Sequence, residues 1–167
     1  MAQRTCRGDG LVKELEPDVT QWLASSGRTP DRKMDVTDLI ARLRAVGFDV
    51  APAAEAFLQG FAYMSVDHEP SVMIDGVKTT CWTRFDPGDV ATSRDARVAR
   101  RCEEVVGKTL CPVGIDGFHL TLYIARDGGF YASRDASVFA YADSTSEMFR
   151  AMRHGVRPRH MADWTFA

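Results

Sequence analysis

Four cysteines and four histidines are the side chains of this 167-residue chain best suited to chemistry, and their spacing argues against it. Cys6, Cys81, Cys102 and Cys111 stand far apart with no CxxC pair among them, so neither a zinc site nor a disulfide framework is expected. A zinc deaminase needs an HxE segment and a later PCxxC, because three side chains hold the metal while the glutamate moves protons. Here His68-Glu69-Pro70 lacks the intervening residue, and Cys111-Pro112 reverses the order and has no second cysteine. Phosphate loop, nucleophile elbow and HExxH pair are all missing. A nucleophile could still be assembled from Cys81 or Cys111 with His119 or His68 as base. Cys81 lies in a strand pattern beside Trp82, however, and Cys111 sits among apolar residues, where thiols are inert. His119 heads an apolar strand and reads as a hydrogen-bonded structural histidine. The expectation is a chain with no catalytic residues, no metal and no cofactor.

Charge points the same way. Residues 1–93 carry 10 Lys and Arg against 14 Asp and Glu, and residues 94–167 carry 11 against 9. Neither excess is that of a dedicated nucleic-acid or membrane binder. The basic run Arg150, Arg153, His154, Arg157, Arg159 and His160 lacks interleaved aromatics. It reads as cations at the negative end of a helix, continuing into a solvated tail. No apolar run long enough to span a bilayer and no signal segment are present, so the cytoplasm is the expected location.

Binding is the remaining class. Asp67, Glu69, Asp75, Asp86, Asp89 and Asp95 make a loosely acidic middle, opposed by Lys78, Arg84 and Arg94. Such a patch would steer a basic protein partner, with Trp82 and Tyr131 as aromatic anchors. The candidate contact residues are therefore Asp67, Glu69, Asp75, Trp82, Arg84, Asp86, Asp89 and Tyr131.

The elements that must position them follow from periodicity. Apolar residues at helical spacing predict a helix over about Leu11–Ala24 and a second after Asp35, with Val36, Leu39, Ile40, Leu43 and Val46 inward and Gly47 as its stop. Pro52 opens a third, burying Phe57, Leu58 and Phe61. Val72–Ile74 and Lys78–Phe85 flank Asp75-Gly76, a hairpin signal. A helix over Asp95–Val106 should bury Val98, Cys102, Val105 and Val106. Strands then follow at His119–Ile124, Phe130–Ser133 and Val138–Tyr141, and a last helix over Ser144–Arg153 buries Met148, Phe149 and Met152. Strands joined by short turns, with helices set apart from them, predict an α+β fold with a mainly antiparallel sheet and flanking helices. A single domain over residues 11–160, with flexible ends at 1–10 and 161–167, is the expected organisation.

The order of several short segments is also familiar. Val106 through Gly114, Leu120–Ile124, Asp127-Gly128-Gly129-Phe130-Tyr131, Ala142-Asp143-Ser144 and Arg153 through Pro158 resemble the SUKH-3 immunity proteins. These are a branch of the SUKH (Smi1/Knr4-like) superfamily. Upstream, Gly27–Arg32, Ala45-Val46-Gly47-Phe48, Pro52–Leu58 and Phe85-Asp86-Pro87 resemble the same pattern. Two positions depart from it: Arg28 stands where members often carry Trp, and Ala142 where they often carry Gly. The resemblance implies a SUKH-like fold. It also implies a bacterial immunity protein that binds and neutralises a polymorphic toxin domain, of nuclease or deaminase type, without catalysis. Its partner would be the cognate toxin, in a toxin–antitoxin pairing. The alternative within the superfamily is a regulatory scaffold of the Smi1/Knr4 kind.

Overall fold

Residues 15–165 are described by a computed structural model. Their centre is one antiparallel sheet of seven strands laid side by side in chain order. The strands are β1 (Ser65–Ile74), β2 (Val77–Arg84), β3 (Leu110–Asp116), β4 (Thr121–Ala125), β5 (Phe130–Arg134), β6 (Ser137–Ala142) and β7 (Arg159–Asp163). Helices α1 (Pro17–Ser25), α2 (Thr37–Ala45) and α3 (Pro52–Phe61) precede the sheet. Helix α4 (Ser93–Val106) joins β2 to β3, and α5 (Thr145–Arg153) joins β6 to β7. This is the α+β architecture the sequence predicts. Residues 11–14 of the expected first helix, the flexible end at 1–10 and positions 166–167 lie outside the described residues, as does Cys6.

Register decides which side chains share a face, because successive residues of a strand point to opposite sides. Leu122 pairs with Ala132 and Ile124 with Phe130. On that side Phe130 meets the ring of Phe57 from α3 at 5.2 Å, within a cluster that also holds Phe61, Phe85 and Phe149. Ser133, three residues after Phe130, faces the other way, toward Cys102 of α4, and shares a hydrogen bond of 3.1 Å with the Tyr123 hydroxyl. Helices α3 and α4 therefore cover opposite faces. The small side chains Ala96, Ala99 and Cys102 form the buried stripe of α4, whereas Val98, Val105 and Val106 are only partly buried. That corrects the expected apolar side: small residues allow this helix to lie close to the sheet.

Two strands were hidden by local sequence. β3 contains Pro112 and Gly114, which weaken any strand pattern, and they sit at an irregularity where the register slips between Pro112 and Gly114. A Cβ on Gly114 would stand 2.4 Å from the carbonyl oxygen of Arg84, so only glycine lets β3 approach β2 there. The expected solvated tail after Gly155 instead returns as β7, pairing Phe139 with His160 and Val138 with Ala162. Residues 161–163, expected in a flexible end, thus belong to the sheet.

The departure at Arg28 is accommodated locally. Gly27 takes φ +88° after α1, and the Arg28 N–H donates to the Leu23 carbonyl at 3.0 Å. The Arg28 guanidinium then lies 5.0 Å from the centre of the Phe61 ring, an aromatic contact made by a cation.

Candidate partner-binding surface

The β1–β2 hairpin turns on Asp75 and Gly76, with φ +49° and +77°, the backbone that a two-residue hairpin turn demands. Asp67 and Trp82 stand directly opposite each other across the ladder. Arg84, two residues along, shares the outward face, with its guanidinium 5.5 Å from the centre of the Trp82 ring and 3.3 Å from Asp89. Trp82 lies against Gly117, where a Cβ would come within 2.8 Å of the indole Nε1. Asp67, Trp82, Arg84 and Asp89 consequently form one patch, and Asp75 is exposed at the hairpin tip. Three of the eight candidates are placed differently, Glu69 bordering the cleft behind the hairpin. Asp86 Oδ1 accepts the Gly88 N–H at 3.0 Å and opens the short 3-10 turn Pro87–Val90. Tyr131 stands three strands away from β2, its hydroxyl accepting from Lys108 Nζ at 2.9 Å while Lys108 also pairs with Asp127.

Behind the hairpin, on the Phe130 side of the sheet, lies a cleft of about 280 Å³. His68, Cys81, Asp116, Leu120, Phe139 and Tyr141 line it, and Glu69, Arg134 and Val156–Pro158 edge it. A thiol, an imidazole and an acid therefore do converge: Cys81 and His68 are one of the pairings the sequence leaves open and disfavours, and Asp116 is an addition that no local motif signals. His68 is opposite Cys81 in the ladder, and Asp116 is opposite Thr83.

Convergence is not a relay, and the hydrogen bonds say why. His68 Nε2 is 2.7 Å from Thr83 Oγ1 and Nδ1 is 2.7 Å from the Glu69 carbonyl, so both ring nitrogens are engaged away from the thiol. Cys81 Sγ donates weakly to the Trp82 carbonyl at 3.8 Å. Burial, reinforced by the Asp116 charge, pushes its pKa up to about 11. A nucleophilic cysteine needs the opposite shift. Asp116 Oδ1 accepts the Phe118 and Leu120 N–H groups, each at 2.8 Å, and so shapes the β3–β4 turn. Burial lifts the Asp116 carboxyl above its usual range, and burial likewise raises the Tyr141 hydroxyl, with Asp116 and Cys81 adding to the effect. Cys111 is sealed in the core, its thiol pushed up to about 12 by burial. His119 is exposed at φ +61° in the β3–β4 turn; the buried, hydrogen-bonded structural histidine is His68. Among the described residues no group of three or more His, Cys, Asp or Glu is placed to hold a metal ion. No described helix is long and apolar enough to cross a membrane.

The molecule is thus an α+β scaffold that displays a charged, tryptophan-centred patch and a mixed cleft, with no base wired to a nucleophile. The SUKH-3 immunity protein family matches residues 15–155, and the chain belongs to that family. Comparison with curated proteins finds no match. Comparison with solved structures finds none either.

Proposed function

We propose that this protein neutralises a bacterial toxin domain of nuclease or deaminase type by binding it, and catalyses nothing itself. Family membership across residues 15–155 carries the reading. The unwired cleft supports the non-catalytic half, since its imidazole is spent on Thr83 and its thiol is held protonated. A toxin domain that handles nucleic acid presents positive charge, because phosphate contacts dominate such binding. The acidic residues about the hairpin, Asp67, Glu69, Asp75 and Asp89, complement that charge. Trp82 supplies the large, partly buried ring that interface centres favour. A stable complex would cover roughly 1,200–2,000 Å² in total.

The test is co-expression with the toxin domain encoded in an adjacent reading frame. Restored growth, and a complex surviving gel filtration, are the expected results. Asp67→Lys and Trp82→Ala should each weaken the complex, while Cys81→Ala should leave protection intact. Loss of protection in Cys81→Ala with the complex still formed would reveal chemistry and overturn the proposal.

A further inference from the structure

Arginines recur along α4 at Arg94, Arg97 and Arg101, spaced three and four apart, so they form one stripe of the helix. That stripe is one wall of a groove of about 660 Å³, whose opposite side includes His119, Ser133 and Arg134. Asp95 and Asp135 are the acids that line it. Asp95 is committed to the helix cap, taking the Thr92 N–H at 3.0 Å. Arg101 pairs with Glu104 at 3.1 Å, but Arg94 and Arg97 form no ion pair among the described residues; Arg134 also borders the cleft on the other face, where its charge acts on Asp116. Arg94 and Arg97 therefore give the groove a surplus of unneutralised guanidinium. Its location costs the fold something, because Arg94 and Arg97 sit near the positive end of the α4 dipole. Charge placed against its own helix points to a use outside the fold.

Register connects this groove to the hairpin patch. Arg84 pairs with Ile115, Ile115 with Thr121, and Thr121 with Ser133, so the row runs along one face of the sheet across β2, β3, β4 and β5. Three strand spacings separate its ends, about 14 Å. The acidic patch of Asp67 and Asp89 and the arginine groove are therefore two ends of one surface, joined through Ile115 and Thr121.

We propose that the α4 groove is a second half of the docking surface and takes an acidic segment of the toxin protein. This rests on the immunity reading and goes further, fixing orientation: a partner bearing both signs of charge can seat in only one direction. Guanidinium groups fit carboxylates through paired N–H donors, which favours an Asp- or Glu-rich loop.

A fluorescein-labelled deca-glutamate peptide is the probe, followed by fluorescence anisotropy at low and high salt. Binding that weakens with salt is expected, and R94E/R97E should weaken it roughly tenfold or more, the scale of complementary interfacial charge. K33E/R159E, an equal change of charge outside the groove, should have little effect. R94A/R97A guards against misfolding of the reversal and should weaken binding in the same direction. Equal loss in the groove and control variants, no peptide binding, or tighter binding of single-stranded oligo-dT than of the peptide would each overturn the proposal. Co-expression separates it from the immunity reading. If wild type and R94E/R97E protect cells equally, the groove assignment fails and immunity stands. If wild type itself gives no protection, immunity fails whatever the peptide does.

Discussion

His68 Nε2 and Thr83 Oγ1 lie 2.7 Å apart across the β1–β2 ladder, and this bond holds the imidazole off the thiol of Cys81. A straight register counted from the pairing of Ile74 with Val77 would set His68 opposite Thr83. The irregularity between His68 and Val72 slides it two residues, to Cys81. The ring nevertheless reaches diagonally back to Thr83. Cys81 is left without a base, beside a carboxylate that disfavours its ionisation.

The first prediction concerns that thiol. Cys81 should alkylate slowly near neutral pH, its rate with iodoacetamide climbing toward the pKa of about 11. Peptide-resolved mass spectrometry over a pH series reads this without interference from the other cysteines. Fast labelling at neutral pH, abolished by His68→Gln, would mean that an imidazole activates the thiol after all.

A second prediction concerns alkaline stability. Burial raises Cys81 from 9.0 to about 11 and Cys111 to about 12, and raises the Tyr123 and Tyr141 hydroxyls as well. As pH climbs past 9.0, an unfolded chain releases these thiol protons while the folded chain still holds them. Unfolding is then the proton-releasing direction, so stability is fully present below that pH and is lost progressively toward 11 and 12. The urea midpoint should fall between about pH 7 and pH 10. A midpoint unchanged over that interval would show that these groups are not shielded as described.

What could be read in advance depended on the range of the interaction involved. Helices α2, α3 and α5 were legible because Leu39, Phe57, Leu58, Met148 and Phe149 repeat at helical spacing, and the structure buries all of them. Asp75-Gly76 announced its hairpin through local backbone preference alone. β3 and β7 were not legible, since Pro112, Gly114 and the cations around Arg159 argue against strands locally and only pairing with β4 and β6 makes them so. The cleft and the arginine groove were illegible for the same reason. His68, Cys81 and Asp116 meet only after a register shift, and the stripe on α4 faces His119 and Ser133 only once the sheet is complete.

A third prediction follows from the tightest approach between strands. Gly114→Ala would force a methyl group against the Arg84 carbonyl oxygen, 2.4 Å away, and no side-chain rotation relieves contact with backbone. β2 and β3 share only the pairs Thr83–Asp116 and Arg84–Ile115, so a shift there disturbs their whole ladder. A loss of about 1–3 kcal/mol is expected by urea unfolding. Because Arg84 belongs to the patch proposed to hold the toxin, toxin affinity should fall along with stability. Gly128→Ala is a useful comparison: it sits in open space at φ +88°, so its cost is backbone strain alone and toxin affinity should not change.

The last prediction tests whether the aromatic cluster is the structural keystone under both binding surfaces. Phe149 is fully buried on α5 and lies 4.7 Å from Phe61 and 5.5 Å from Phe85, ring centre to ring centre. Phe85 directly follows β2, and its N–H donates to the Met64 carbonyl at 2.8 Å ahead of β1, so the cluster anchors the base of the hairpin. Phe149→Ala removes a ring from this packing and should cost about 3–5 kcal/mol, since surrounding side chains relax only partly into the space. Phe149→Leu retains much of the volume and should cost distinctly less. Hydrogen exchange then distinguishes a general loss from a local one. In Phe149→Ala the amides of β1 and β2 should lose protection before those of β4 and β5, whose ladder includes the four pairs from Thr121–Ser133 to Ile124–Phe130. Uniform loss across all seven strands would mean that the hairpin is no more dependent on this ring than the rest of the sheet.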